Sequence, residues 1–312
     1  MKHAGFQHKA LIYEGADDYL AGTIPFLREG LEAEEPTLVA VGPAQTEQLE
    51  GELGGDSELI RFLPMEEVGR NPASIIPLWR DFVDENGSRS LRGIGEPVWA
   101  ARSAQALEEC HRHEGLLNVA FAGGGNFSLL CPYDAGSLPD EVVERVGASH
   151  MHLHREGRVE PSYGFDPHAD PFTGELPPPA EDPEVLCFGL RELAEVRRRV
   201  TAAAERAGLD AEGVADLVTA TSELAANSVM HGGGEGILRL WWEDSRLLAE
   251  VEDRGRIEEP LVGRRRPDVQ QEGGRGLWLA NRLCDLVQIR SGERGTVVRL
   301  HLLVAENELA FV

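Results

Sequence analysis

Residues 166–185 read DPHADPFTGELPPPAEDPEV, with six prolines in twenty positions and almost no hydrophobic periodicity. Proline removes a backbone donor and stiffens the chain, so neither a helix nor a central strand can run through this stretch. The chain is therefore divided into a first domain over 1–165, a linker over 166–185 and a second domain over 186–312. At 312 residues, each part is long enough to bury a core of its own.

The two parts follow different patterns. Before the linker, short apolar runs alternate with helical periodicity. KALIYEG, TLVAVG, LIRFL, SLRGIGE, LNVAF and FSLLCPY read as strands, separated by helices such as DDYLAGTIPFLREGLEAEE and SAQALEECHRHEG. Such alternation predicts an α/β domain with a mostly parallel sheet covered on both faces. After the linker come helix, helix, strand, strand, loop, helix, strand, strand, which predicts an α+β sandwich of helices on a largely antiparallel sheet. In DAEGVADLVTATSELAANSVMHG, Asp210 is the expected helix cap and Gly232 the expected end.

Composition excludes several functions. Acidic residues number 54 against 30 basic ones, a net charge of −24, of which residues 1–180 carry −17. So acidic a surface repels phosphate backbones, and no direct nucleic-acid partner is expected. The only lysines are Lys2 and Lys9. This leaves none for a phosphate-binding loop, a eukaryotic-type protein kinase or a Schiff base. Cys110, Cys131, Cys187 and Cys284 are scattered and fit a reducing compartment. No apolar run approaches a membrane span and no signal-like core opens the chain, so a cytoplasmic protein without membrane contact is expected.

Three polar elements stand out in the second domain. Glu223 and Asn227 lie one turn apart, roughly opposite the stripe of Val214, Val218 and Ala225. Asp253-Arg254-Gly255 places a carboxylate at a strand end before a tight turn. Gly273-Gly274-Arg275-Gly276 opens a helix, where bare backbone N–H groups and the helix dipole favour an anion. Singly, each is an ordinary solvated face or turn; their order and spacing single them out together. A carboxylate can accept from an exocyclic amine such as that of adenine, an Asn amide oxygen is a hard ligand for Mg²⁺, and a neighbouring Glu can act as a base.

Glu223-x-x-x-Asn227, Asp253-x-Gly255, Gly274-x-Gly276-Leu277 and Thr296 in GTVVRL resemble the boxes of the GHKL (Bergerat-fold, HATPase) ATPases over about residues 185–304. ELAANSVMHGG resembles most the anti-sigma-factor serine kinases of that superfamily. The resemblance implies that ATP and Mg²⁺ are the cofactors, that Asn227 ligates Mg²⁺ and that Glu223 is the catalytic base. It further implies that Asp253 holds the adenine amine and that Gly255 makes room for the ring. Gly274, Arg275, Gly276 and Leu277 would cradle phosphates, Thr296 would lie beside Asp253, and 254–272 would form a lid. One departure is Ile257, which stands where the family has a second glycine. Arg264-Arg265-Arg266 reads as a mobile, solvated loop or one that meets phosphate.

In the first domain, the opening HKALIYEGADDYLAGTIPFLREGLEAEEPTLVAVG, RGIGEPVW and LLCPYDAGSLP followed by SHMHL resemble the MEDS sensory domain over about residues 5–165. The resemblance implies a RecA/KaiC-like fold without a working phosphate loop, so Gly123–Asn126 (GGGN) reads as a turn. His150, His152 and His154 alternate as they would on one strand face, a conceivable metal site; His111 and His113 read as ordinary helix residues. Cys131 and Tyr133 beside Asp134 are expected to pack the sheet end.

The two resemblances together imply a bacterial regulator. A sensory domain would be joined to an anti-sigma factor with serine/threonine protein kinase character. It would bind a sigma factor and phosphorylate a STAS-domain anti-anti-sigma partner, acting as a homodimer whose Arg197-Arg198-Arg199 run contacts partners or a second copy. The alternative is a nucleotide-binding or degenerate, non-catalytic binding protein, which Ile257 motivates. A sensor histidine kinase needs a phosphoacceptor His ahead of the ATPase domain, and residues 186–222 contain none.

Overall fold

A computed structural model of the chain describes residues 5–180, 182–267 and 274–304. The chain divides into two units between Pro171 and Phe172.

The first unit runs β1 (Phe6–Tyr13), α1 (Gly15–Glu32), β2 (Thr37–Val41), α2 (Pro43–Leu53), β3 (Arg61–Pro64), α3 (Met65–Val68), α4 (Ile75–Asn86), β4 (Leu91–Gly95), α5 (Ala104–Phe121), β5 (Phe127–Asp134), α6 (Asp140–Glu144) and a hairpin of β6 (His152–Arg155) and β7 (Arg158–Pro161). The sheet order is β3-β2-β4-β5-β1-β6-β7. All neighbouring pairs are parallel except β6 with β7. β2 and β4 are buried along their whole length, as strands covered on both faces must be. Leu11, Tyr13, Val39, Val41 and Leu130 pack with Tyr19, Leu27 and Leu49 of α1 and α2. On the other face Trp79 of α4 lies against Phe127, with ring centroids 5.6 Å apart.

The strand expected at LNVAF is instead the last part of α5. Leu116, Leu117, Ala120 and Phe121 are buried at helical spacing. Val119 is its single β-branched residue, so nothing local opposes the helix, which Ser103 starts by accepting the Ala106 N–H at 3.2 Å. Gly123–Asn126 leaves α5 and enters β5 as a turn. It sits at a helix C-terminus, where the dipole repels anions.

The second unit runs β8 (Glu184–Gly189), α7 (Leu193–Ala207), α8 (Ala211–His231), β9 (Glu235–Glu243), β10 (Arg246–Asp253), α9 (Arg275–Leu283), β11 (Leu286–Gly292) and β12 (Gly295–Leu303). Its antiparallel sheet has the order β11-β12-β10-β9-β8. β8 falls on residues read from the sequence as linker and helix start; its alternation is short and becomes informative only once β9 pairs along it. Leu217, Ala220, Leu224 and Ala225 make α8 the central helix, packed with Val196 and Val200 of α7, Leu277 and Ala280 of α9, and the inward rows of the sheet. Asp210 caps α8 by accepting the Gly213 N–H at 2.8 Å, as its position predicts. Part of the proline-rich stretch is bound to this unit through its carbonyls: Phe172 accepts from the Ser291 N–H at 3.3 Å, and Pro177 from the Arg299 guanidinium at 2.8 Å.

Each unit thus has its expected fold class, a mostly parallel α/β sheet followed by helices on an antiparallel sheet. Among the described residues, no helix is long and apolar enough to cross a membrane.

Candidate functional site

The middle helix α8 carries contacts to two of the sequence elements at neighbouring positions. From a half-buried flank, Glu223 and Asn227 reach the first turn of α9. A Cβ at Gly276 would fall 2.9 Å from Asn227 Nδ2 and 3.2 Å from Glu223 Oε2. Only a residue without a side chain lets the start of α9 come this close, and the Gly276 backbone is left facing the polar pair. Gly274 caps α9 with a left-handed φ of 76°, Gly274 and Arg275 are exposed, and Leu277 turns into the core. Gly273 and the lid residues 268–272 lie outside the described residues.

One residue along α8, Ser228 is buried and its hydroxyl donates to Asp253 Oδ2 at 2.6 Å. The Gly255 N–H donates to Asp253 Oδ1 at 2.7 Å. Each carboxylate oxygen has a second lone pair, so Asp253 is aimed by the protein and still able to accept from a ligand amine. Gly232 and Gly255 both pass beside this carboxylate, and a Cβ at Gly255 would lie 3.0 Å from Asp253 Oδ1.

Thr296 stands opposite Asp253 in the β10–β12 ladder. Its hydroxyl donates to the Gly255 carbonyl at 2.9 Å. Ser291 Oγ lies 2.7 Å from Thr296 Oγ1 and accepts the Ile257 N–H at 2.8 Å. With the Thr296 proton on Gly255, the Ser291 hydroxyl is the donor between the two. The result is a head-to-tail chain, Ile257 N–H to Ser291 to Thr296 to the Gly255 carbonyl, in which each bond polarises the next. It ties the segment after β10 to the β11–β12 hairpin. Ile257 also packs against the core of the unit.

The structure therefore groups Glu223, Asn227 and Gly276 along one flank of α8, and Asp253, Gly255 and Thr296 around Ser228, the residue after Asn227. Residues that sequence reasoning missed are Ser228, Ser291 and Gly295. Ser228 carried a weak signal, one of two hydroxyls, with Thr221, among the buried residues of α8. Gly295 adopts a φ of 120°, and a Cβ there would collide with the Asp253 carbonyl. The loop after Gly255 is only partly as read: Leu261 and Arg264 are buried, and the Gly263 carbonyl accepts from Asn281 Nδ2 at 2.9 Å. Arg265 and Arg266 are exposed. Within the Arg197–Arg199 run, Arg198 and Arg199 pair with Glu195, and Arg199 also reaches Glu184 at 2.7 Å.

Residues 7–151 match the family described as MEDS, the methanogen/methylotroph DcmR sensory domain. Residues 189–302 match the histidine kinase-like ATPase domain family, which spans every described residue of the site above. No curated protein matches the chain. Among solved structures, the RsbU and RsbW domains of a Mycobacterium tuberculosis protein are similar at 23% identity, over 38% of this chain and 32% of that one, with a TM-score of 0.29. The chain spans about a third of the length of that solved chain.

Proposed function

From a chain that joins a MEDS sensory domain to a histidine kinase-like, GHKL-type ATPase domain, we propose a regulator that binds Mg·ATP in its second unit and acts as an anti-sigma factor with serine/threonine kinase activity. Its phosphate acceptor is a STAS-domain anti-anti-sigma partner, its other partner a sigma factor, and its working form a homodimer. The observation that carries the nucleotide site is the approach of Gly276 to Asn227 and Glu223 together with an Asp253 carboxylate aimed by Gly255 and by Ser228, the residue after Asn227.

The bound nucleotide supplies a transferable phosphoryl group and the Mg²⁺ that shields its charge. Asp253 accepts from the adenine amine, and Gly255 leaves room for the ring. The first turn of α9, with Gly274, Arg275 and Gly276, directs N–H groups and positive charge at the phosphates. Asn227 presents its amide oxygen to Mg²⁺. Glu223, one turn before it, takes the proton from the incoming serine or threonine hydroxyl.

Glu223→Gln should lower transfer of labelled phosphate to a STAS partner by about 10²–10⁴-fold while leaving ATP affinity near that of the wild type. Asn227→Ala should weaken Mg·ATP binding itself. Calorimetric titration that detects neither ATP nor ADP at millimolar concentration would refute the nucleotide site.

The position of Ile257 favours a second reading, a nucleotide-responsive binder without phosphotransfer. Its backbone is held by Ser291 and its side chain by the core where the family has glycine. Sigma-factor binding that responds to ATP, with no label on any STAS protein, selects this reading.

A further inference from the structure

A second polar centre lies in the first unit, far along the chain from the nucleotide site. His8 on β1, Glu114 on α5, Cys131 on β5 and His150, just ahead of β6, converge beneath α5. The largest exposure among them is the 6% of His8. His8 Nε2 lies 2.9 Å from Glu114 Oε2 and 3.3 Å from Cys131 Sγ, and His150 Nε2 lies 3.3 Å from the same Glu114 oxygen. One ligating atom from each of the four residues lies within 4.8 Å of all the others.

The outer nitrogen of each ring determines what the inner one can be. His150 Nδ1 lies 2.9 Å from the Val146 carbonyl, which can only accept, so Nδ1 carries the proton. His8 Nδ1 lies 3.3 Å from Asn118 Oδ1. The Asn118 amide is oriented by Nδ2, which donates to the Ser149 carbonyl at 2.8 Å. His8 Nδ1 is therefore a donor as well. Both Nε2 atoms then turn bare lone pairs toward one carboxylate oxygen, acceptor against acceptor. Glu114 Oε1 and His150 Nε2 are buried without a hydrogen-bond partner. A buried group of this kind is costly unless a cation joins its members.

We propose that His8, Glu114, Cys131 and His150 form a binding site for one divalent transition-metal ion of the zinc class. Two imidazoles and a thiolate are borderline-to-soft donors that exclude Mg²⁺ and Ca²⁺ and suit tetrahedral Zn²⁺ or Co²⁺. Bonds of about 2.0–2.3 Å place tetrahedral donors roughly 3.3–3.8 Å apart, a spacing that lies within the range of 2.9 to 4.8 Å present before a cation draws the four together. Hydrogen bonds from the outer nitrogens to a carbonyl and an amide are the arrangement that orients metal-bound histidines. Binding displaces the Cys131 thiol proton to solvent. Thiolate and carboxylate then balance the dication, which leaves the buried centre neutral. The ion would join β1, β5, α5 and the approach to β6, the elements around the middle of the sensory sheet.

The test uses the full chain without nucleotide, stripped with chelator and titrated with Co²⁺ alone. The expected result is one Co²⁺ per chain, with tetrahedral ligand-field bands in the visible and a sulfur-to-cobalt charge-transfer band in the near ultraviolet. Cys131→Ser should remove the charge-transfer band, and His150→Ala should weaken Co²⁺ binding at least about tenfold. Cys187→Ser and His152→Ala, at exposed positions, should change neither. A wild-type protein with no such bands, or with a charge-transfer band that persists in a folded Cys131→Ser chain, overturns the site. The wild-type spectrum decides even where a variant fails to fold, because an imidazole–carboxylate pair sharing a proton gives no cobalt signature.

Discussion

Asp253 depends on a side chain that no motif announces. The Ser228 hydroxyl is fully buried and holds Oδ2 at 2.6 Å while the Gly255 N–H holds Oδ1. Removing Ser228 leaves a carboxylate oxygen facing an emptied buried position, a loss of about 1–3 kcal/mol. Ser228→Ala should therefore lower stability by that order in chemical denaturation. It should also weaken ATP binding, because Asp253 is freed to rotate. An unchanged nucleotide affinity in the folded variant would separate Ser228 from the site. Histidines show the same gap between spacing and role: His150, His152 and His154 alternate along the chain, yet β6 begins only at His152, which is exposed. His150, two residues before the strand, turns inward to Glu114 and His8. Their common period said nothing about it, since Glu114 and His8 both lie more than thirty positions away along the chain.

At the level of elements, helix and strand type followed local pattern wherever a buried face was long enough to repeat. α8 was legible because Leu217, Ala220, Leu224 and Ala225 recur at 3.6-residue spacing behind a capping Asp210. LNVAF and the residues of β8 were not, because five or six apolar-rich residues suit either period and their neighbours decide. The β11–β12 hairpin is the element on which the Asp253 end of the site rests, since Thr296 and Ser291 both belong to it. Gly295, at a φ of 120° and against the Asp253 carbonyl, allows the two strands to close there. Gly295→Ala combines backbone strain with a backbone collision. It should cost more than about 2 kcal/mol and reduce ATP binding together with stability, as read by calorimetry and thermal melts. A variant with wild-type melting and affinity would show that the hairpin does not set the site.

For the whole molecule, two units with separate cores lead us to expect two thermal transitions, each answering to its own ligand: Mg·ATP should raise that of the second unit and Zn²⁺ that of the first. pH offers an independent handle on the first unit. Burial, aided by Asp134 and opposed by the Tyr13 hydrogen bond at 2.7 Å, pushes the Glu96 carboxyl up to about 8. A carboxyl raised in the folded state favours folding fully below its ordinary range and loses that contribution as pH climbs through about 8. The first-unit transition should therefore fall between pH 6 and pH 9, and Glu96→Gln should flatten that fall in calorimetry. An equal slope in the variant would place the effect elsewhere. The sequence alone determined the two fold classes and which short motifs to watch, because each is written in local spacing or in what two terminal lysines exclude. Only the tertiary structure decided that Ser228 aims Asp253, that Gly276 meets Asn227, and that His8, Glu114, Cys131 and His150 share one buried centre. These are contacts between distant segments, set by how helices and strands stack, and no period along a single chain encodes them.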